Sequence, residues 1–267
     1  MACGSPKDKG FTLIEMVTVI VILGVLAVGI SSFLQFGSRI YLETNDRSQL
    51  IASARFAIER LNREVRHALP NSPRLIGSSN QCLEFRPIRA AAIYTEIPLK
   101  PLAAGSTIKV IRFDDRQFSN NLEVIIYPLT SDEAYLPSNK ISAIDTNSPV
   151  FDHDPAIIEW SILLDVPMQF TQGSPTNRVF FIGQAVSYCI EGSLLNRYQN
   201  YTSYRADGAP SVTPSLMAEF LDGDNLSSFQ VNSASQLRSG NVLVKLNFSK
   251  NDETISFNNE IQVVNVP

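Results

Sequence analysis

The chain reads as an α+β protein: one long N-terminal helix, membrane-spanning in its first half and amphipathic in its second, packed on a large antiparallel β-rich head. Three observations predict this. Residues 16–34 form an apolar run without a charged side chain. Residues 39–69 then place apolar side chains three or four apart, the spacing of one helix face. Beyond Pro70 long helical periodicity stops, and short strand-like runs alternate with Gly, Pro, Asn and Ser breakers.

Composition excludes little by itself. Of 267 residues, 44% are hydrophobic and 18% charged, ordinary values for a globular chain, so bulk composition hides the membrane segment. The formal net charge is −4, which supplies no electrostatic reason to expect nucleic acid as a partner.

Residues 1–10 are short and polar and carry Lys7 and Lys9. A secretory signal has its apolar core ahead of its cleavage site. Here the apolar core follows the candidate cut, so removal of residues 1–10 would keep the helix. The two lysines hold the N-terminus on the cytoplasmic side, with the bulk of the chain across the membrane. An uncleaved anchor would have the same topology, and about 20 apolar residues are enough to span a bilayer. One carboxylate, Glu15, stands at the head of the run. A charge inside hydrocarbon costs about 2.5–3.5 kcal/mol even on lenient insertion scales, so a lone acid there calls for a partner. A carboxylate at the headgroup level, favouring the helix dipole, is the simpler reading of the residue alone.

Gly10-Phe11-Thr12-Leu13-Ile14-Glu15 followed by an apolar helix resembles the prepilin cleavage and assembly motif of type IV pilins and type II secretion pseudopilins. The resemblance implies that a prepilin peptidase cuts between Gly10 and Phe11 and that the new amino group of Phe11 is methylated. It further implies that Glu15 pairs with the N-terminal amine of a neighbouring subunit during assembly. A buried carboxylate is tolerated beside a cation and strongly destabilising without one, so such pairing would enforce the stagger between subunits. The implied partners are the prepilin peptidase, other major and minor pilins, the inner-membrane pilus assembly machinery and membrane lipid. The implied location is the inner membrane, single-pass, with the C-terminal domain in the periplasm and later on a cell-surface pilus. Many major pilins carry Pro where this chain has Ser32; its absence fits a minor subunit or pseudopilin better than a fibre's bulk component. Gly24, Gly29, Ser31 and Ser32 offer small surfaces on which membrane helices can approach closely.

The predicted organisation is a leader at 1–10, a transmembrane or filament-core helix at 11–36, the amphipathic half of the same helix at 37–70, and a head at 71–267. If 11–68 is one helix it is roughly 87 Å long. Its apolar face is Ile51, Ala54, Ile58, Leu61, Val65 and Leu69. Arg55, Glu59, Arg60, Arg63, Glu64 and Arg66 lie on the other side and read as a solvated face. Pro70 stops the helix, with His67 beside its C-terminus.

Within the head, strands are expected at 82–86, 91–97, 107–113, 122–127, 157–164, 178–184, 185–191, 194–201, 226–231, 242–249 and 254–266. A turn at Gly192 joins two of them. The stretch 128–155 holds Pro128, Pro137, Pro149 and Pro155 among many Ser, Asn and Asp. It reads as a long loop, with a subdivision of the head near residue 150 as one option and two sheets of one domain as the other. The order Val186-Ser187-Tyr188-Cys189-Ile190, Leu194-Leu195-Asn196-Arg197-Tyr198 and Phe220-Leu221-Asp222-Gly223, with the earlier run from Ala54 to Arg66, resembles the large minor pilins of the PilW class, MSHA-type ones in particular. That resemblance implies a subunit at or near a pilus tip that helps initiate assembly and aids surface attachment. A large pseudopilin of a type II secretion system, or a membrane-anchored periplasmic binding protein or enzyme, are the other readings.

Cys3 lies in the leader, which leaves Cys82 and Cys189. An even pair in an exported domain suggests a disulfide; two buried thiols are the alternative. No cofactor and no metal site are expected. His153 between Asp152 and Asp154 lacks a second soft ligand nearby, and Asp222-Gly223-Asp224-Asn225 lacks the spacing of a calcium loop. No nucleophile elbow, phosphate loop or dinucleotide fingerprint occurs, so no catalytic residue is assigned. Trp160, Phe180, Phe181, Tyr188, Tyr198, Tyr201 and Tyr204 read as sheet core.

Overall fold

The computed structural model describes residues 10–77, 79–116, 118, 119, 121–136, 138–145, 151, 154, 156–201, 208–222, 227–233, 239–251 and 253–263. Helix α1 runs from Leu13 to Arg66 without a break, through Gly24, Gly29 and Ser32. It ends where Pro70 ends the pattern: the last turn closes with His67 and Ala68 bonded back to Glu64 and Val65.

The chain forms two compact units, Met1–Gln49 and Leu50–Pro267. In the first, the described residues up to Tyr41 are all exposed, and the apolar window of the helix has none of its length covered by the rest of the chain. The sequence dictates this, since the run is apolar on every side and only lipid or other helices can satisfy all of them at once.

Among the described residues, the second unit takes the remainder of α1 and fourteen strands. They are β1 (Arg74–Ile76), β2 (Cys82–Phe85), β3 (Ile88–Glu96), β4 (Gly105–Ile111), β5 (Glu123–Ile125), β6 (Ile141–Ala143), β7 (Glu159–Met168), β8 (Arg178–Ile182), β9 (Ala185–Glu191), β10 (Leu194–Tyr201), β11 (Ser215–Ala218), β12 (Ser228–Asn232), β13 (Asn241–Lys250) and β14 (Glu253–Gln262). Every strand pair is antiparallel. Three sheets result, ordered β1-β2-β9-β10-β11, β12-β13-β14 and β6-β5-β8-β3-β4-β7. The last curls towards closure: Ile144, just beyond β6, bridges Leu164 of β7, and Asp145 N–H donates to the Leu163 carbonyl at 3.0 Å.

Period-two alternation distributes the strands among three cores. Leu83 and Phe85 of β2 and Val186, Tyr188 and Ile190 of β9 face α1, joining Leu50, Ala54, Ala57, Leu61, Val65 and Ala68 with side chains of β13 and β14. Their neighbours Cys82, Ala185 and Cys189 face the other way, into a second core with Phe180 and Ile182 of β8. Val179 and Phe181 of β8 turn into the curled sheet, against Trp160, Ile108 and Val110. Strands β8 and β9 are therefore covered on both faces, which is why they read as continuous apolar runs in the sequence.

The structure differs from the sequence expectation at several places. The buried stripe of α1 is 50-54-57-61-65-68, while Ile51 and Ile58 sit at its margin, half-buried; the core contacts on both flanks select which apolar column points inward. Glu64 is not solvated: it accepts from Tyr188 Oη at 3.0 Å and from Arg197 Nε at 2.9 Å, and its other oxygen accepts from Arg60 at 3.1 Å. The loop at 128–155 contains a 3₁₀ turn, Asp132–Ala134, and β6, both of three residues and too short to show a period. Strand pairing crosses residue 150: β7 and β8 beyond it pair with β4, β3 and β5 before it. Strands β1 and β11 were also not expected.

Candidate functional site

Residues 10–15 form a compact local structure. Thr12 precedes the first helical residue, and its Oγ1 accepts from the Glu15 backbone N–H at 3.3 Å. The Glu15 carboxylate reaches back to the Thr12 N–H at 3.5 Å. This is a reciprocal capping box, which satisfies two of the donors that a helix start leaves open. The pattern Thr-x-x-Glu ahead of an apolar run was present in the sequence and is the signal that the reading by charge alone overlooked. Thr18 Oγ1 in turn donates to the Glu15 carbonyl at 3.0 Å.

Gly10 and Phe11 lie outside the helix and are exposed, Phe11 by 79%. The bond between them is open to an enzyme, and no Cβ at Gly10 would meet another atom within 4 Å. Between Leu13 and Ser38 Glu15 is the only charged side chain. Its chemistry at this position is limited to accepting: it caps its own helix and retains further lone pairs for a cation or for donors of another molecule. Neither Cys82 nor Cys189 is near this segment in the chain; they lie in the head, directly opposite each other on β2 and β9, joined as a disulfide with 4.1 Å between their Cα atoms. The adjacent pair in the ladder carries the backbone bond from Ile190 N–H to the Gln81 carbonyl, so the cysteines occupy a non-hydrogen-bonded pair, where facing side chains come closest.

Among its described residues the head holds several positioned polar groups. Glu84, fully buried, accepts from Arg74 Nε at 2.6 Å and from Tyr201 Oη at 2.8 Å. Arg86, 1% exposed, donates to the carbonyls of Gly183 and Ala134, both at 2.9 Å, and pairs with Glu123. These groups tie sheets together. Burial, and then the Glu64 charge, push the Tyr188 phenol well up; burial and then Glu84 do the same to Tyr201. Among the described residues no three His, Cys, Asp or Glu side chains gather as metal ligands. His67 Nδ1 lies 2.8 Å from the Arg63 carbonyl, as a helix C-terminal side chain. His153 and Gly223-Asp224-Asn225 lie outside the described residues, as do Tyr204 and the leader before Gly10.

Comparison with protein families finds the prokaryotic N-terminal methylation motif at residues 5–31. No curated protein and no solved structure matches the chain. The matched stretch contains Gly10, Phe11, Glu15 and most of the apolar run. It supports processing by a prepilin peptidase, interaction with pilin assembly machinery, and a structural subunit rather than an enzyme. Together with the uncovered apolar helix, it supports a membrane-anchored, single-pass, type IV pilin-like protein.

Proposed function

We propose that the chain is a minor pilin, cut between Gly10 and Phe11, methylated on Phe11 and assembled through Glu15 into a type IV pilus of the MSHA kind, with the large head at or near the tip, a reading that its resemblance to PilW-class subunits such as MshO supports. The observation that carries the assembly reading is the first helical segment. Its apolar side chains are exposed all round, and a single carboxylate stands at its head. Covering a large apolar side chain contributes roughly 1.5–3 kcal/mol, so the helix is stable only inside lipid or a bundle of other helices. Glu15 in that bundle needs a cation. The methylated amine of a neighbouring Phe11 is the cation that the processing motif supplies. With residues 1–10 on the cytoplasmic side, the head lies in the periplasm before assembly.

The test is the composition of filaments from the native host. Under this reading the chain co-purifies in small amounts with the major pilin and other minor pilins. Co-purification with the tip subunits of a type II secretion pseudopilus assigns it there instead. Recovery only as a monomer in the membrane fraction, with full activity of a Glu15→Val variant, removes the assembly reading altogether.

A further inference from the structure

Two adjoining clefts on the head share Arg89 and Val186. The larger, about 310 Å³, is bordered by Arg63 and His67 at the end of α1, by Arg89 in β3 and by Arg197 in β10. The one carboxylate on its wall is Glu64, already held by Arg60, Arg197 and Tyr188. Arg63 and Arg89 are exposed and form no ion pair among the described residues. The cleft therefore keeps a net positive charge, displayed as two guanidinium forks with the geometry of carboxylate or sulfate recognition.

The smaller cleft, about 180 Å³, is bordered by Ser119, Asn121, Gln184, Gln199 and Asn200. Each amide carries both a donor and an acceptor, and the Asn121 oxygen already accepts from the Ser119 hydroxyl. Gln199 is fixed by its Oε1, which accepts from Arg197 at 2.6 Å. Asn200 has φ +61°, and the pairing of β10 with β9 slips between Tyr198 and Tyr201. A break of this kind re-aims side chains at a site. Here residues 199 and 200, at the slip, border the groove.

We infer that this groove binds an acidic oligosaccharide, with sugar hydroxyls on the amides and a carboxylate or sulfate on Arg63 and Arg89. Amides match vicinal hydroxyls, which donate and accept at once, and the two arginines match the acid. An extended acidic peptide would call for a free strand edge, and β9 and β10 are both interior strands of their sheet. The inference rests on the head alone and stands independently of the role of Glu15.

The experiment is calorimetric titration of the full chain in detergent micelles with trigalacturonate, maltotriose and a triglutamate peptide as probes. Trigalacturonate is expected to bind, less tightly as ionic strength rises, and maltotriose and triglutamate at least tenfold more weakly. Arg63→Ala and Arg89→Ala, both at exposed positions, are each expected to weaken trigalacturonate binding roughly tenfold. Asn121→Ala weakens it less, and Arg89→Lys recovers only part of the loss because the fork is gone. Absence of trigalacturonate binding, equal affinity for triglutamate or maltotriose, or unchanged affinity in Arg89→Ala would each overturn the inference.

Discussion

In the first turn of α1 the Glu15 carboxylate has two claims on it: the Thr12 N–H of its own helix and, in the proposed assembly, the amine of a neighbouring subunit. Two substitutions separate them. Glutamine serves at the third position of a capping box as glutamate does, so Glu15→Gln keeps the local cap and removes only the charge. Glu15→Val removes both. If pairing with an amine drives assembly, the two variants lose filament incorporation equally while the head folds as before; if the cap is what matters, Glu15→Gln assembles normally. Incorporation is read by immunoblot of sheared filaments. Thr12→Ala removes the reciprocal acceptor, and loss of such a cap costs about 1 kcal/mol. The capping role was written in Thr12-Leu13-Ile14-Glu15, whereas the amine partner is a property of a second molecule that one chain cannot display.

Among the elements, β9 and β10 carry tyrosines whose environment makes a pH prediction. Burial first, and then its bond to Glu191 at 2.7 Å, push Tyr198 up to about 12. Its neutral form is favoured in the folded state, so its contribution is complete below the ordinary phenol value near 10 and is lost as pH rises towards 12. Tyr188 and Tyr201 are raised in the same direction. Thermal stability therefore declines above about pH 10, and Tyr198→Phe, which has no proton to lose, flattens part of that decline. Arg86 poses the opposite problem, a permanent charge at 1% exposure. Arg86→Ala leaves the Gly183 and Ala134 carbonyls without this donor, at about 1–3 kcal/mol for each buried group left unsatisfied, while Glu123, its side chain 36% exposed, keeps its access to water. A far-UV melt of the full chain measures it. Strands β3, β7 and β14 could be read from the sequence because their alternation is long, and β5, β8 and β9 because their apolar residues run together. Strands β1, β6 and β11 could not, since three or four residues hold no period and their pairing comes from the longer strands beside them. Arg86 and Glu64 were also illegible, because a charged residue in a sequence looks solvated until the sheet that covers it is known.

Across the whole molecule, the disulfide between Cys82 and Cys189 closes a separation of 107 residues. In the chain-entropy account a loop of about 100 residues gains roughly 4.7 kcal/mol. Cys82→Ser with Cys189→Ser is expected to lower the unfolding free energy of the head by an amount of that order, read as a lower denaturant midpoint, and non-reducing electrophoresis of the native protein should show the faster, crosslinked form. The register of β2 on β9 sets this pairing, and no spacing in the sequence encodes it. The layout of a long helix on a β-rich head was readable throughout, because a run apolar on all sides, then an amphipathic helix, then alternation each leave a distinct period.

The claim that the apolar helix is a processed assembly element is tested most directly by mass spectrometry of the mature N-terminal peptide from the native host. The account predicts a peptide that begins at Phe11 and carries a methyl group on its amine. A mature protein that retains residues 1–10, or one that begins beyond Glu15, would contradict it.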